Sequence, residues 1–190
     1  MTTAVFLLEE PSARALLEAL MPRLYPDVDT RYLVFEGKQD LENNLARRIR
    51  GWRAPDSYFI VLRDQDSGDC RRVKSRLTEL VAQSGRTALV RVACRQLEAW
   101  IVGDLQAVAE AYERPQLAEA ARKEKFRDPD RLGDPADDLR KLLGAYQKID
   151  GARRVGPRLL PARNTSASFR ALLTGLARVL GPVASSPEAG

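Results

Sequence analysis

The stretch Tyr58-Phe-Ile-Val-Leu-Arg-Asp-Gln-Asp-Ser-Gly-Asp-Cys70 runs from a short apolar segment directly into three carboxylates. Its first half reads as a buried strand, because a compact apolar run bounded by turn residues is the mark of one. Its second half sets a problem. Carboxylates at the carboxyl end of a buried strand repel one another and resist desolvation unless something neutralises them, most simply a divalent cation. Asp64 and Asp66 can meet there, since the alternation of faces ends with the strand and both side chains can swing toward one crevice. An ion-free alternative has Asp64 ending the strand, Ser67-Gly68 making the turn and Asp69 capping the next helix. Asp69 suits that use in either case, and is counted with the other two as a candidate metal ligand.

Outward from this strand, apolar runs and amphipathic stretches alternate. Ala4 to Glu9 reads as a strand, and Ser12 to Leu24, with leucines at helical spacing and Ser12 available as its cap, as a helix. Arg31 to Glu36 is a second strand and Gln39 to Arg50 an amphipathic helix. After the strand Tyr58 to Leu62 come a helix from Cys70 to Gln83, a strand from Ala88 to Cys94 and a helix from about Gln96 to Tyr112. Four strands with intervening helices predict a mostly parallel α/β sheet with right-handed crossovers and a ligand crevice at the strands' carboxyl ends. Glu9 and Glu10 then close the first strand, Glu36 the second, Asp64 and Asp66 the third, and Glu98 opens the helix after the fourth. All lie on one edge. Each has a plain alternative: Glu9-Glu10 before Pro11 as a solvated corner, Glu98 as a complement to a helix amino terminus.

Beyond Tyr112 the pattern changes. Arg114 to Asp138 mixes Pro115, Pro129 and Pro135 with dense opposite charges, which predicts helices broken by loops and few strands. Ala136 to Lys148 and Ser166 to Leu180 read as amphipathic helices joined by Gly151-Ala-Arg-Arg-Val-Gly-Pro-Arg158. The chain is therefore divided into an α/β domain at 1–112, a helical extension at 113–181 packed on the sheet, and a disordered tail at 182–190. The joining segment, with Arg153, Arg154, Arg158 and Arg163, reads as a solvated loop or, with its glycine amides, as a phosphate contact. Trp52 and Trp100 beside apolar neighbours read as core rather than as base-stacking platforms.

Composition narrows the chemistry by exclusion. With 190 residues, 44% of them hydrophobic and 30% charged, the chain has the balance of a globular protein able to build one good core. It has no histidine, so a Ser-His-Asp triad, a Cys-His nucleophile, an H-E-x-x-H zinc site and a histidine base are all excluded. Carboxylates, lysines, arginines and metal-bound water remain. A formal charge of +5 suits a phosphate-rich partner, although 26 acidic residues dilute it. No G-x-x-x-x-G-K-[ST] loop occurs, so the chain supplies no ATPase of its own. Cys70 and Cys94 show no C-x-x-C spacing and are expected as buried, reduced thiols. No segment has the length of a membrane span and the amino terminus lacks a basic secretory start, so a cytoplasmic location is expected.

Leu7-Leu-Glu-Glu-Pro-Ser12, Glu36-Gly-Lys-Gln-Asp-Leu41, the segment from Arg63 to Cys70 and Gln96-Leu-Glu-Ala-Trp-Ile-Val-Gly-Asp104 resemble the bacterial family called domain of unknown function 4276. The resemblance continues through Lys125-Phe-Arg-Asp-Pro-Asp130, Tyr146-Gln-Lys148 and Asn164-Thr-Ser-Ala-Ser-Phe169. That family is similar to Toprim proteins, the catalytic domain of topoisomerases, primases and OLD-family nucleases, in which a glutamate after the first strand and an Asp-x-Asp after the third hold magnesium. The resemblance implies a Toprim-like Rossmannoid sheet and places the glutamate on Glu9 or Glu10 and the Asp-x-Asp on Asp64 and Asp66. The sequence departs from the Toprim pattern in following Glu9 with Glu10 and Pro11 instead of glycine, while Glu36-Gly-Lys38 carries the usual dipeptide after the wrong strand.

What this implies is magnesium-dependent, or manganese-dependent, hydrolysis of phosphodiester bonds, with Glu9, Asp64, Asp66 and Glu98 as catalytic residues. Glu9, Glu10, Asp64, Asp66 and Asp69 are the candidate metal ligands, and Lys38, Arg63, Lys148 and Arg153 the candidate phosphate or substrate contacts. OLD-family relatives join this domain to an ATPase, so a nucleic acid and a separate ATPase subunit are the implied partners and anti-phage defence the setting. Two alternatives stand beside it: a non-catalytic interaction or nucleic-acid-binding module that keeps the fold, and a metal-dependent enzyme of nucleotides or sugar phosphates.

Overall fold

The computed structural model describes residues 2–183. Four strands, β1 (Thr3–Leu8), β2 (Asp29–Val34), β3 (Ser57–Asp64) and β4 (Ala88–Ala93), form one sheet in the order β2-β1-β3-β4. All pairings are parallel, with Leu8 opposite Val34 and Leu62, and Asp64 opposite Ala93. The carboxyl ends of β1 and β3, and with them Glu9 and Asp64, thus reach the same edge of the sheet. Each strand is followed by a helix, as the sequence predicts: α1 (Pro11–Leu24), α2 (Lys38–Arg50), α3 (Cys70–Ala82), and after β4 the short α4 (Glu98–Val102) and α5 (Leu105–Ala111).

The two central strands, β1 and β3, read as nearly continuous apolar runs because both faces are covered. Ala4, Phe6 and Leu8 of β1 with Ile60 and Leu62 of β3 enter one core, and the alternate residues Val5, Leu7, Phe59 and Val61 enter the other. Helices α2 and α3 close the second face. Leu41, Leu45 and Ile49, spaced by one helical turn, are fully buried there, each contributing about 1.5–3 kcal/mol. The first face takes α1, α4, α5 and the whole carboxyl-terminal part, whose Leu139, Ala152, Phe169 and Leu172 share a core with β1 and α1.

That carboxyl-terminal part consists of 3-10 turns at 115–122, 124–126, 129–131 and 156–158 together with α6 (Pro135–Leu143), α7 (Lys148–Val155) and α8 (Ala167–Leu180). Helix α8 lies on β4, where Arg91 Nε donates to the Ala171 carbonyl at 2.9 Å. Of the expected tail, residues 184–190 fall outside the described residues.

Four expectations are corrected. Ser12 does not cap α1; the helix begins at Pro11, and the Ser12 hydroxyl donates to Glu10 instead. The helix expected from Gln96 to Tyr112 breaks at Gly103-Asp104, because the Gly103 carbonyl accepts the Thr165 N–H and the Asp104 carboxylate caps α5 through the Ala107 N–H. The helix expected to reach Lys148 ends at Leu143, and the arginine segment is helical: α7 runs through Gly151, a position where a Cβ would overlap the Tyr146 ring.

Candidate functional site

Glu9 and Asp64, each at the end of its strand, are buried side by side. The Asp64 N–H donates to Glu9 Oε2 at 3.1 Å, which orients that carboxylate across the β1–β3 seam. Asp64 Oδ1 accepts the Leu97 N–H at 3.0 Å, and Asp64 Oδ2 has no hydrogen-bond partner. Glu98, on the first turn of α4, is 0% exposed, and neither of its carboxylate oxygens has a hydrogen-bond partner. Three buried carboxylate oxygens are thus left without a donor, in a chain whose other buried polar side chains are mostly satisfied.

One ammonium enters this cluster. Lys148 Nζ, at the start of α7, stands 3.2 Å from Glu10 Oε2 and 3.6 Å from Glu98 Oε2. Burial raises the Asp64 carboxyl well above the ordinary aspartate range, and the charges of Glu10, Glu98 and Glu9 push the same way against Lys148. Burial also raises Glu98, with Lys148 offsetting part of it, and raises Glu9 against the Asp64 N–H and Arg63. For Lys148, burial pulls downward, yet Glu98, Glu10 and Asp64 together hold its ammonium above the usual lysine range. Tyr146, whose buried hydroxyl has no hydrogen-bond partner, is pushed up by burial and by Glu98. The cluster carries more negative charge than its single ammonium balances.

The other candidates lie around this centre at graded distance. Asp66 adopts the left-handed region at φ 54°, which aspartate tolerates, and its Oδ2 is 3.6 Å from the exposed Lys38 Nζ at the start of α2. Arg63 is buried in the crevice wall, 2.5 Å from Glu42 Oε1 and 3.7 Å from Glu9 Oε2. Asp69 caps α3 by accepting the Arg72 N–H at 2.8 Å. Glu36 lies exposed in the turn before α2, where its N–H is held by Asp40. Arg153 is exposed on the last turn of α7. Of its neighbours in sequence, Arg154 pairs with Asp150, Arg158 caps a carbonyl, and Arg163 pairs with Asp104 and Glu110. Trp100 is fully buried beside Phe169 and Trp52 packs on the second core.

The donor set tests well for a hard divalent cation in its chemistry, because such ions take carboxylate oxygens and the orphaned oxygens of Asp64 and Glu98 lack a hydrogen-bond donor. Among the described residues, however, no three acidic side chains stand in a ready-made ligand cage. The acids are spread around Lys148. Sequence reasoning singled out Lys148 within a motif but not as the counter-ion of Glu10 and Glu98, since those residues are 138 and 50 positions away and only the packing of α7 on α1 and α4 joins them.

An all-parallel α/β sheet with an acidic crevice at its carboxyl edge defines a Toprim-like fold, as the sequence resemblance implies. The chain belongs to the family described as "Domain of unknown function (DUF4276)", whose model matches residues 8–177. Among solved structures it is similar to the C-terminal region of the Burkholderia pseudomallei OLD protein, at 19% identity and a TM-score of 0.57, covering 93% of this chain and 98% of that one. It is also similar to the C-terminal region of the Xanthomonas campestris pv. campestris OLD protein, at 17% identity and a TM-score of 0.52, covering 93% and 95%. No curated protein matches. Among the described residues no helix is long and apolar enough to cross a membrane.

Proposed function

We propose that the chain is a divalent-cation-dependent, Toprim-like nuclease module that hydrolyses phosphodiester bonds and works with a separate ATPase. The observation that carries this reading is the trio of buried carboxylate oxygens, Asp64 Oδ2 and both oxygens of Glu98, left without a hydrogen-bond donor beside Glu9 and Glu10. Buried charge of this kind is costly unless a cation completes it. Glu9, Glu10, Asp64, Asp66 and Glu98 would hold magnesium or manganese, which supplies Lewis-acid polarisation of a phosphoryl oxygen and an activated water.

The chain's own groups do the rest. The Leu97 N–H fixes Asp64 with one oxygen free, and the Asp64 N–H with Arg63 fixes Glu9, so both carboxylates are oriented before anything binds. Lys148 brings an ammonium to Glu10 and Glu98 and would stabilise a phosphate's developing charge, and Lys38 holds Asp66 at the rim. Arg63, being committed to Glu9 and Glu42, acts on Glu9 and not on a phosphate. The two OLD-protein structures named above are C-terminal regions, which supports a module that works beside a further domain or subunit.

Lys148 also favours a second reading. An ammonium 3.2 Å from Glu10 and 3.6 Å from Glu98 is an internal counter-ion, as a non-catalytic module keeping the fold would need. Calorimetric titration of magnesium and manganese into the parent and Asp66→Ala, followed by assays on single- and double-stranded DNA and RNA, separates the two. Binding that is lost in the variant, with metal-dependent cleavage, is expected; a folded parent that binds no cation up to millimolar levels with or without nucleic acid refutes the nuclease and leaves the internal counter-ion.

A further inference from the structure

The sequence separates Cys70 and Cys94 by a whole strand and helix, yet the fold brings their sulfurs to 4.0 Å. Cys70 is the first residue of α3 and Cys94 follows β4; both are free and half-buried, so a small solute can reach them. The two segments they anchor carry Asp64, Asp66 and Glu98 of the acidic crevice. Between them the Gln65 N–H donates to the Ala93 carbonyl at 2.9 Å, the Asp66 N–H to the Arg95 carbonyl at 2.9 Å, and the Arg95 N–H to Gln65 Oε1 at 3.0 Å. The Leu97 N–H holds Asp64. Asp66 and Arg95, joined by one of these bonds, both sit in the left-handed region, at φ 54° and 61°. For arginine that conformation is costly, by about 1–3 kcal/mol, and is held only by its surroundings.

We propose that Cys70 and Cys94 form a reversible dithiol–disulfide site, oxidised by small organic disulfides, that governs the cation affinity of the acidic crevice. Its consequence for affinity rests on the cation reading above; bond formation does not. One protein sulfur attacks a sulfur of a small disulfide such as oxidised glutathione, forming a mixed disulfide and releasing one small thiol that carries the first proton. The second protein sulfur then attacks the protein side of the mixed disulfide, breaks that bond and releases the second small thiol with the second proton. Two protein thiols are oxidised, and one disulfide is reduced to two thiols.

A disulfide needs its sulfurs about 2.05 Å apart, so the pair closes by about 2 Å. Whatever part of that closure the side-chain rotations do not take up draws the first turn of α3 toward the end of β4, and the segment between Asp64 and Cys70 with it. Carboxylates aimed at one ion tolerate displacement of only about 0.5 Å. Oxidation therefore weakens cation binding, by about 10-fold or more, the loss typical of disturbed ligand support.

The test treats the reduced, metal-free protein with oxidised glutathione, measures intact mass without alkylation, and titrates manganese into the oxidised and reduced forms. The expected result is a mass lower by two hydrogens, restored by dithiothreitol, and manganese affinity weakened at least about 10-fold. Cys70→Ser and Cys94→Ser should each stop at a glutathione adduct and never lose the two hydrogens. Failure of the parent to lose them, while a small dithiol control is oxidised, overturns the site. A disulfide that leaves the affinity unchanged overturns its control of the crevice. If the reduced parent binds no manganese, control of affinity fails together with the cation reading, and the mass result alone still decides whether the bond forms.

Discussion

Replacing Asp64 by asparagine should stabilise the metal-free protein while abolishing its response to cations. Asp64 is 6% exposed and spends only Oδ1 in a hydrogen bond, to the Leu97 N–H. Its Oδ2 has no donor, and Glu10, Glu98 and Glu9 repel it more than Lys148 attracts it. The amide oxygen of asparagine keeps the bond to Leu97, and its NH2 becomes a donor among carboxylates that lack one. Relieving an unsatisfied buried charge is worth about 1–3 kcal/mol, which for a chain of this size raises the melting temperature by roughly 5 °C. The pH dependence follows from the raised carboxyl. The folded state holds the Asp64 proton at pH values where the unfolded chain has released it, so the parent's stability falls as pH rises from about 4 through the raised value. Asparagine has no such loss. Thermal melts in EDTA should therefore show parent and variant alike near pH 4 and the variant pulling ahead toward pH 8, while magnesium raises only the parent. A variant that melts below the parent at pH 8, or a gap that narrows with rising pH, would refute the account of the crevice.

Other perturbations probe its surroundings. Lys148→Met removes the half-exposed ammonium beside Glu10 and Glu98. It should lower metal-free stability by about 1–2 kcal/mol, a buried-pair loss discounted for exposure, and magnesium should restore more stability to this variant than to the parent in parallel melts. Gly151→Ala forces a methyl into the buried Tyr146 ring; denaturant unfolding should register a loss of about 1–3 kcal/mol, the usual cost of overpacking, although alanine is the better helix former. Asp130→Ala removes the carboxylate that accepts from Ser166 Oγ at 2.7 Å and from the Ser168 N–H at 2.7 Å. Hydrogen exchange should quicken in the first turn of α8, with a global loss of about 1–3 kcal/mol.

The sheet was legible because its signals are local. The central strands are apolar runs that stop at a charge, and the observed ends of β1 and β4 lie within one residue of those expected. The acids of the crevice were legible for the same reason: Glu9 and Asp64 terminate strands, and a parallel topology leaves their ends on one edge. What escaped depends on contacts across the chain. Gly151 looks like a loop residue until Tyr146 is seen against it, and Gly103 interrupts a helix because the segment at Asn164–Ser166 presses on it. Arg63 carries a charge that suggests phosphate, but Glu42 on α2 claims it. The Cys70–Cys94 proximity has no signature in spacing, since 24 residues of helix, turn and strand fold back to produce it.

The crevice draws Glu9 from the first strand, Asp64 from the third, Glu98 from the helix after the fourth, and its ammonium from position 148. A chain emerging from the ribosome therefore carries all four strands and all three carboxylates before the charge that offsets them has been synthesised. Docking of α7 on α1 and α4 is what brings that charge to the carboxylates. Folding of this protein should accordingly be slowest and most sensitive to divalent cations at that late docking, with dissolved magnesium able to stand in for a lysine that has not yet arrived.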